Sequence, residues 1–379
     1  MTRRVMVGGV QIGGGAPISV QSMTTTQTSD IAATVTQIAR LEAAGCEIVR
    51  VAVPDMAAAE ALPAIRKAIS IPLVADIHFD HRLALAAIRA GVDKLRLNPG
   101  NITDPAHIAE VAEAAAKAEI PIRVGANSGS LAPLYLDAHG RATAAGMVKS
   151  ALHEIRILER QGFEAIVVSL KATDVRMTID ACRAIAREVD YPLHVGITEA
   201  GTVWEGAIRS AVGLGILFAE GLGDTVRVSL AGDPVEEVRA AYEILRALGL
   251  RSRGVDLHVC PTCGRTGIDL AAIAGEVRTA LADVVEPIKL ALMGCVVNGL
   301  GEVRDADVGL VGSRGQGSIY VSGHVVAAAV PEADLAQEIV RVVRERLGLK
   351  RPSRERPSRK RLSRKRLSRK TPARGEHEE

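Results

Sequence analysis

Short β-branched runs alternate with amphipathic stretches through the first 250 residues. The runs fall at 18–23, 47–53, 73–79, 94–98, 122–127, 166–171, 193–198 and 225–230. The stretches between them, 30–44, 55–69, 81–90, 104–118, 147–161, 174–188, 202–220 and 234–248, carry apolar residues at helical spacing. Asp30 and Asp174 stand at N-cap positions, and Gly45, Gly91, Gly162 and Gly249 at C-cap positions. Eight strand-then-helix units in this length predict a (β/α)8 TIM barrel over residues 1–250. The alternative is a doubly wound open sheet, which would usually show a Gly-rich dinucleotide turn after its first strand. The longest connection, 128–143 after the fifth strand, is a candidate cover for an active site.

The rhythm changes after Arg251. Residues 254–349 read as a small α+β domain: strand 255–260, helix 268–283, strand 288–294, a loop, strands 308–311 and 318–321, and a closing helix 332–347. Residues 350–379 repeat pentapeptides such as RPSRK and RLSRK. Like charges at that density cannot bury a core, so a disordered basic tail is expected there.

A second pattern, of period two, runs inside the barrel strands. Arg50 stands between Val49 and Val51, and Asp76 shares a face with His78. Lys94, Arg96 and Asn98 alternate with Leu95 and Leu97, and Arg123 and Asn127 alternate with Val124 and Ala126. Ser169 and Lys171, His194 and Thr198, and Arg227 and Ser229 repeat the arrangement. Barrel strands are ordinarily apolar on both faces, because helices cover the outside and side chains fill the middle. The apolar face must meet the helices, so the polar face is assigned to the lumen. Arg50, Arg96, Arg123, Lys171 and Arg227 then converge, with Asp76 and Glu199 as the two carboxylates able to offset them. Uncompensated cations are costly to bury, and guanidinium forks match phosphate oxygens. A diphosphate-like ligand is therefore expected. Its candidate contacts are Arg50, Asp76, His78, Arg96, Asn98, Arg123, Asn127, Ser169, Lys171, His194, Thr198, Arg227 and Ser229. Glu199, just past the seventh strand, and His78 are candidate general acids.

Composition narrows the classes. The net charge of +3 hides thirteen Lys/Arg against four Asp/Glu in residues 350–379, and a net of −6 over the rest. Aromatics at 2% leave little for stacking bases, so nucleic-acid binding is not expected beyond the tail. No run of eighteen apolar residues and no secretory h-region is present, so a cytoplasmic protein with no membrane partner is expected.

Five cysteines, two of them in Cys260-Pro-Thr-Cys263, suit a metal or redox site better than a disulfide framework. Cys46 and Cys182 read as small buried apolar residues. For Cys260, Cys263 and Cys295 three readings stand: zinc with His258 or His324 as fourth ligand, a redox dithiol, or an iron–sulfur cluster. Glu302 follows Cys295 in what reads as a Gly-rich loop leading back to the site. A hard carboxylate on a cluster iron would exchange easily and leave that iron open to a substrate oxygen.

Taken together, the stretches GGGAPISVQSMTTT, VRVAVP, ADIHFD, LRLNPGNI, IRVGANSGSL, VSLKATD, LHVGITEAG, VRVSL, CPTCGR and GCVVNGLGE resemble the 4-hydroxy-3-methylbut-2-enyl diphosphate synthase family over about residues 3–347. The resemblance implies a barrel followed by a module like those of sulfite reductases, carrying a [4Fe-4S] cluster. It places the cluster ligands at Cys260, Cys263, Cys295 and Glu302. It implies reductive dehydroxylation of 2-C-methyl-D-erythritol 2,4-cyclodiphosphate with electrons from ferredoxin or flavodoxin. It also implies a homodimer in which the active site is shared between subunits. Two features depart from the family: Leu300 stands where a Pro is usual, which should loosen the loop carrying Glu302, and the basic tail is additional. The rival enzyme is a non-redox barrel of pterin-synthase type with a zinc-stapled accessory domain. A polyanion binder acting through the tail is the rival from another class.

Overall fold

The computed structural model describes residues 1–349 except 79, 98–101 and 103. Asn98 and the tail 350–379 therefore lie outside the described residues. The chain divides into two units, Met1–Asp256 and Leu257–Glu379.

The first unit opens with a hairpin, β1 (Val5–Val7) and β2 (Val10–Ile12), paired antiparallel with Val7 opposite Val10. Gly8-Gly9 makes its two-residue turn, with Gly8 at φ 53°, the backbone such a turn requires. Eight parallel strands follow: β3 (Ser19–Met23), β4 (Ile48–Ala52), β5 (Leu73–Asp76), β6 (Lys94–Arg96), β7 (Ile122–Asn127), β8 (Ile166–Lys171), β9 (His194–Val195) and β10 (Thr225–Val226). Their spatial order is β8-β7-β6-β5-β4-β3-β10-β9, and a bridge from Val168 to Leu193 joins the two ends. The result is a near-closed eight-stranded parallel barrel, as the repeat predicts. Regular pairing in β6, β9 and β10 is shorter than the apolar runs suggest.

The intervening helices are α1 (Ile31–Ala43), α2 (Met56–Ala68), α3 (His81–Arg89), α4 (Pro105–Lys117), α5 (Ala144–Glu159), α6 (Val175–Glu188), α7 (Val203–Ala219) and α8 (Pro234–Ala247). Asp30 and Asp174 cap α1 and α6 by accepting from Ala33 N and Met177 N. Gly45, Gly91, Gly162 and Gly249 all take positive φ just beyond helix ends. The predicted cover, 128–143, contains two short 3₁₀ turns, Ser128–Ser130 and Pro133–Tyr135. No helix among the described residues is long and apolar enough to cross a membrane.

Apolar packing explains why the barrel has two environments. Val49, Val51, Ala75, Ile77, Leu95, Val124, Val168, Val195, Val226 and Val228 join one core with the helices. The hairpin's Val7 and Ile12 form a separate cluster with Ile48 and Val74, at the starts of β4 and β5. That cluster plugs the N-terminal end of the lumen. Between plug and mouth the lumen is polar.

The second unit holds a five-stranded mixed sheet in the order β11-β12-β13-β14-β15. The strands are β11 (Val255–Val259), β12 (Ile288–Met293), β13 (Val308–Ser313), β14 (Gln316–Val321) and β15 (His324–Pro331), with helices α9 (Leu270–Ala280), α10 (Val296–Glu302) and α11 (Glu332–Arg346). Strands β12 and β13 pair parallel, and β13-β14-β15 form an antiparallel meander. Two elements correct the sequence reading. The edge strand β15 follows directly from the Ser322-Gly323 turn. The stretch between Cys295 and Glu302 is helix α10, not a Gly-rich loop. Gly299 serves packing there: a Cβ on it would lie 2.9 Å from Val311 Cγ1, so only glycine lets the helix settle on β13 at this point. Leu300 is consequently a helical residue. It keeps the backbone N–H that a Pro would lack, and the loop on which the expected loosening rested is a helical turn.

Candidate active site

Parallel strands bring all their C-terminal ends to one mouth. Arg50, Arg96, Arg123, Gly125, Asn127, Ser169, Lys171, Thr198, Arg227 and Ser229 line a single cavity there. Nine of these ten are the polar-face residues singled out in the sequence, and Gly125 is the addition. The structure thus brings together the five cations on which the diphosphate expectation rests. Arg123 is 3% exposed, and its Nη1 has no hydrogen-bond partner among the described residues. Burial, then the neighbouring Arg50 and Arg96, oppose its charge. Burial also lowers Arg50 to about 10, against the pull of Asp76. Lys171 is driven well below the usual lysine range by burial and by Arg123 and Arg227. Gly196 makes room for it: a Cβ there would lie 2.7 Å from Lys171 Nζ and 2.3 Å from Arg227 O.

Asp76 lies 3.8 Å from Arg50 Nε and 3.3 Å from Arg96 Nη1, with His78 Nε2 at 3.5 Å. Burial pushes its carboxyl up, but Arg50, His78 and Arg96 outweigh this and hold it far below the carboxylate range. The His78 ring stands 2.8 Å from Arg96 Nη1 and is partly exposed. His194 lies deeper, fully buried, with neither ring nitrogen partnered among the described residues. Burial and then Lys171 and Arg123 keep it neutral.

The expectation that Asp76 and Glu199 would be the carboxylates offsetting the cations is corrected. Glu199 is exposed at the mouth, where Thr173 Oγ1 donates to it at 2.8 Å. Its φ of 51° is costly for a non-glycine residue, and the position Cβ would take on Gly129 is 4.0 Å from Glu199 Oε1. The second buried carboxylate comes instead from a helix. Glu237 of α8, 3% exposed, accepts from Arg227 Nε at 3.1 Å and Nη2 at 3.0 Å, and from Ser22 Oγ at 2.8 Å. Glu154 of α5, also buried, accepts from Gly125 N. Strand periodicity cannot reveal helix residues that reach between strands. The available signal was a glutamate in the first turn of α8, which looks like an ordinary dipole-favoured residue. Met23 was also missed: its Sδ lies 2.9 Å from Arg50 Nη2.

In the second unit Cys260 N donates to Leu292 O at 2.9 Å, which sets the end of β11 beside the end of β12. Cys295 is the N-cap of α10 and Glu302 its last residue. Seven residues of helix return to the same face about 10 Å along the axis. Cys263 is exposed, and its thiol is lowered by hydrogen bonds, first from the Arg265 backbone. All three thiols are free of disulfides. Among the described residues no three His, Cys, Asp or Glu side chains converge closely enough to hold one metal ion. Cys46 and Cys182 are buried, each pushed up to about 12 by burial, as structural thiols.

Fold and site together define a β/α-barrel enzyme with a cationic lumen and an appended cysteine-bearing domain. Comparison with known proteins makes this specific. Residues 2–242 match the family described as GcpE TIM-barrel domain, and 256–345 match the GcpE protein C-terminal domain. The 4-hydroxy-3-methylbut-2-en-1-yl diphosphate synthase (flavodoxin) of Geobacter sulfurreducens is 55% identical over 349 residues, covering 92% of this chain and 99% of the relative. That of Geobacillus thermodenitrificans is 54% identical over 342 residues, covering 90% and 91%. A solved dihydropteroate synthase from Stenotrophomonas maltophilia covers 65% of this chain and 98% of its own, at TM-score 0.49 and 16% identity, too distant to bear on function. The chain belongs to the flavodoxin-type 4-hydroxy-3-methylbut-2-en-1-yl diphosphate synthase family, and it is an oxidoreductase.

Proposed function

We propose that this enzyme carries out the two-electron ring-opening and dehydroxylation of 2-C-methyl-D-erythritol 2,4-cyclodiphosphate to 4-hydroxy-3-methylbut-2-enyl diphosphate. The observation that carries the reading is the set of five lumen cations around one cavity, with Arg123 Nη1 unpartnered. Arg50, Arg96, Arg123, Lys171 and Arg227 bind the diphosphate, and Asn127, Ser169, Thr198 and Ser229 orient it by hydrogen bonds. Asp76 fixes Arg50 and Arg96, while Glu237 fixes Arg227, so the forks are set before the ligand arrives.

Cys260, Cys263, Cys295 and Glu302 would hold a [4Fe-4S] cluster; their chemistry fits, with three thiols free of disulfides on the segments that follow two adjoining strands and a carboxylate at the far end of α10 from Cys295. When bound, the cluster supplies single-electron transfer and a Lewis-acidic iron. The ring C–O bond breaks, one end of the diphosphate is freed, and a hydroxyl leaves as water. Glu199 at the mouth, or His78 beside Arg96, gives that hydroxyl its proton. The reading takes residues 1–250 as the substrate domain and 254–349 as a sulfite-reductase-like cluster domain. It takes flavodoxin or ferredoxin as donor and a cytoplasmic homodimer as the working form.

Purification without oxygen, followed by a visible spectrum and assays of iron, sulfide and zinc, tests the reading. A brown protein with four irons and four sulfides per chain is expected, active with reduced flavodoxin. A colourless protein with one zinc per chain overturns it. For Glu199→Gln, a turnover loss of about 10²-fold with an unchanged cluster spectrum is expected. Full turnover in that variant removes Glu199 as the proton donor.

A further inference from the structure

Beneath the cavity lies a second polar layer that the proposed chemistry does not use. Thr225 pairs in register with Ser19 on one side and His194 on the other. Gln21 is two residues above Ser19 on the same strand face, and Lys94 Nζ lies 3.4 Å from Gln21 Oε1. Among the described residues Ser19 Oγ, Gln21 Nε2, Thr225 Oγ1 and both His194 ring nitrogens have no partner. Of these atoms the two hydroxyl oxygens and one nitrogen of a neutral imidazole are acceptors that a further N–H can meet.

Lys94 is the residue that can supply it. It is 0% exposed and does not line the cavity. Its strand neighbour Leu95 packs outward against the helices, so Lys94 points into the lumen. The groups that act on it are Arg123 on β7, Arg50 on β4 and His194 on β9, and Lys171 on β8 acts in turn on His194. Asp76 on β5 is already engaged by Arg50 and Arg96, Glu237 of α8 by Arg227, and Glu154 of α5 by Gly125 N. No carboxylate pairs with Lys94 among the described residues. Arginines keep their protons at any working pH. A lysine does not have to, and burial together with Arg123 and Arg50 favours the neutral amine.

We propose that Lys94 is the proton-accepting floor of the substrate cavity: when a dianionic diphosphate enters above it, its Nζ takes a proton from solvent and becomes an ammonium. This rests on the cavity being the diphosphate site. A dianion above the floor replaces a field of unopposed cations with a compensated one, so the ammonium becomes the stable form. The unpartnered His194 ring and Thr225 hydroxyl lie in the same layer to accept from a wider ammonium network. The sign of the pH dependence follows by linkage. The ligand binds the protonated form, so affinity falls as pH rises above the free amine's value, by up to about tenfold per pH unit for one proton.

The test is calorimetric titration of the full-length, anaerobically purified enzyme with the cyclic diphosphate, without reductant, in two buffers of different ionisation enthalpy. Each phosphorus of that ligand carries one strongly acidic hydroxyl, so the ligand is a fixed dianion near neutrality and any proton taken up belongs to the protein. The wild type should take up at least about one proton per ligand, and Lys94→Met should lower the uptake by about one and flatten the pH dependence of Kd. Any uptake by other groups is common to both proteins, and the difference isolates Lys94. If Lys94→Met does not fold, Lys94→Gln, which can still bond Gln21, gives the same comparison. Binding without uptake, or equal uptake in wild type and variant, overturns the inference alone. No binding in the wild type overturns the diphosphate cavity itself, and this inference with it.

Discussion

Arg123→Met is expected to raise the thermal stability of the ligand-free barrel while lowering kcat/KM on the order of 10³-fold. Both effects have one cause. The Arg123 guanidinium is buried among Arg50, Arg96 and Arg227, whose repulsion Asp76 offsets in part, and one of its nitrogens has no partner among the described residues. Keeping one ion buried costs on the order of several kcal/mol of desolvation, which an apolar group of similar volume does not incur. Arg123 also lines the cavity, so its loss falls directly on the bound diphosphate. Differential scanning calorimetry and steady-state kinetics on the reconstituted enzyme measure the two halves. A variant that is less stable, or as active as wild type, would show that Arg123 is satisfied within the barrel.

Asp76→Asn should act in the opposite direction. Its carboxylate is the buried negative charge that Arg50 and Arg96 share, and breaking a buried pair costs about 3–5 kcal/mol. The melting temperature of the barrel should drop by about 10 °C. The pH dependence has a defined sign. The folded-state carboxyl is held below its unfolded value, so its contribution is present above about pH 4 and is lost as pH falls toward the folded-state value. The variant's stability should therefore change less than the wild type's below pH 4. Urea unfolding at pH 7 and at pH 3.5 measures this. An equal loss at both pH values would place the effect outside the Asp76 charge.

Much of the site was legible in the chain because a strand has a period of two. Val49-Arg50-Val51 and Leu95-Arg96-Leu97 announce which side chains point away from the helices, and the structure gathers those residues around one cavity. The N-terminal hairpin left a signal too, in Gly8-Gly9 between two short apolar runs. It went unread because three-residue strands stand out weakly. Glu237 left almost none. Its burial depends on α8 meeting β3, where Ser22 lies 215 residues away in the chain, a contact that no local pattern encodes. Glycine misled at 299, where close packing on Val311 rather than a turn accounts for its choice.

The repeat of strand and helix, the caps that bound each helix, and the sorting of side chains to lumen or core are written in the residues themselves. These depend on local geometry and on the spacing of apolar groups along one chain. How each charge is answered is settled by the closed barrel. Asp76 serves Arg50 and Arg96, Glu237 serves Arg227, and among the described residues Arg123 keeps an unmet nitrogen and Lys94 has no carboxylate beside it. The reason is physical: electrostatic energy in a buried site depends on distances of a few ångströms between groups from different strands and helices, and closing the barrel is what sets those distances.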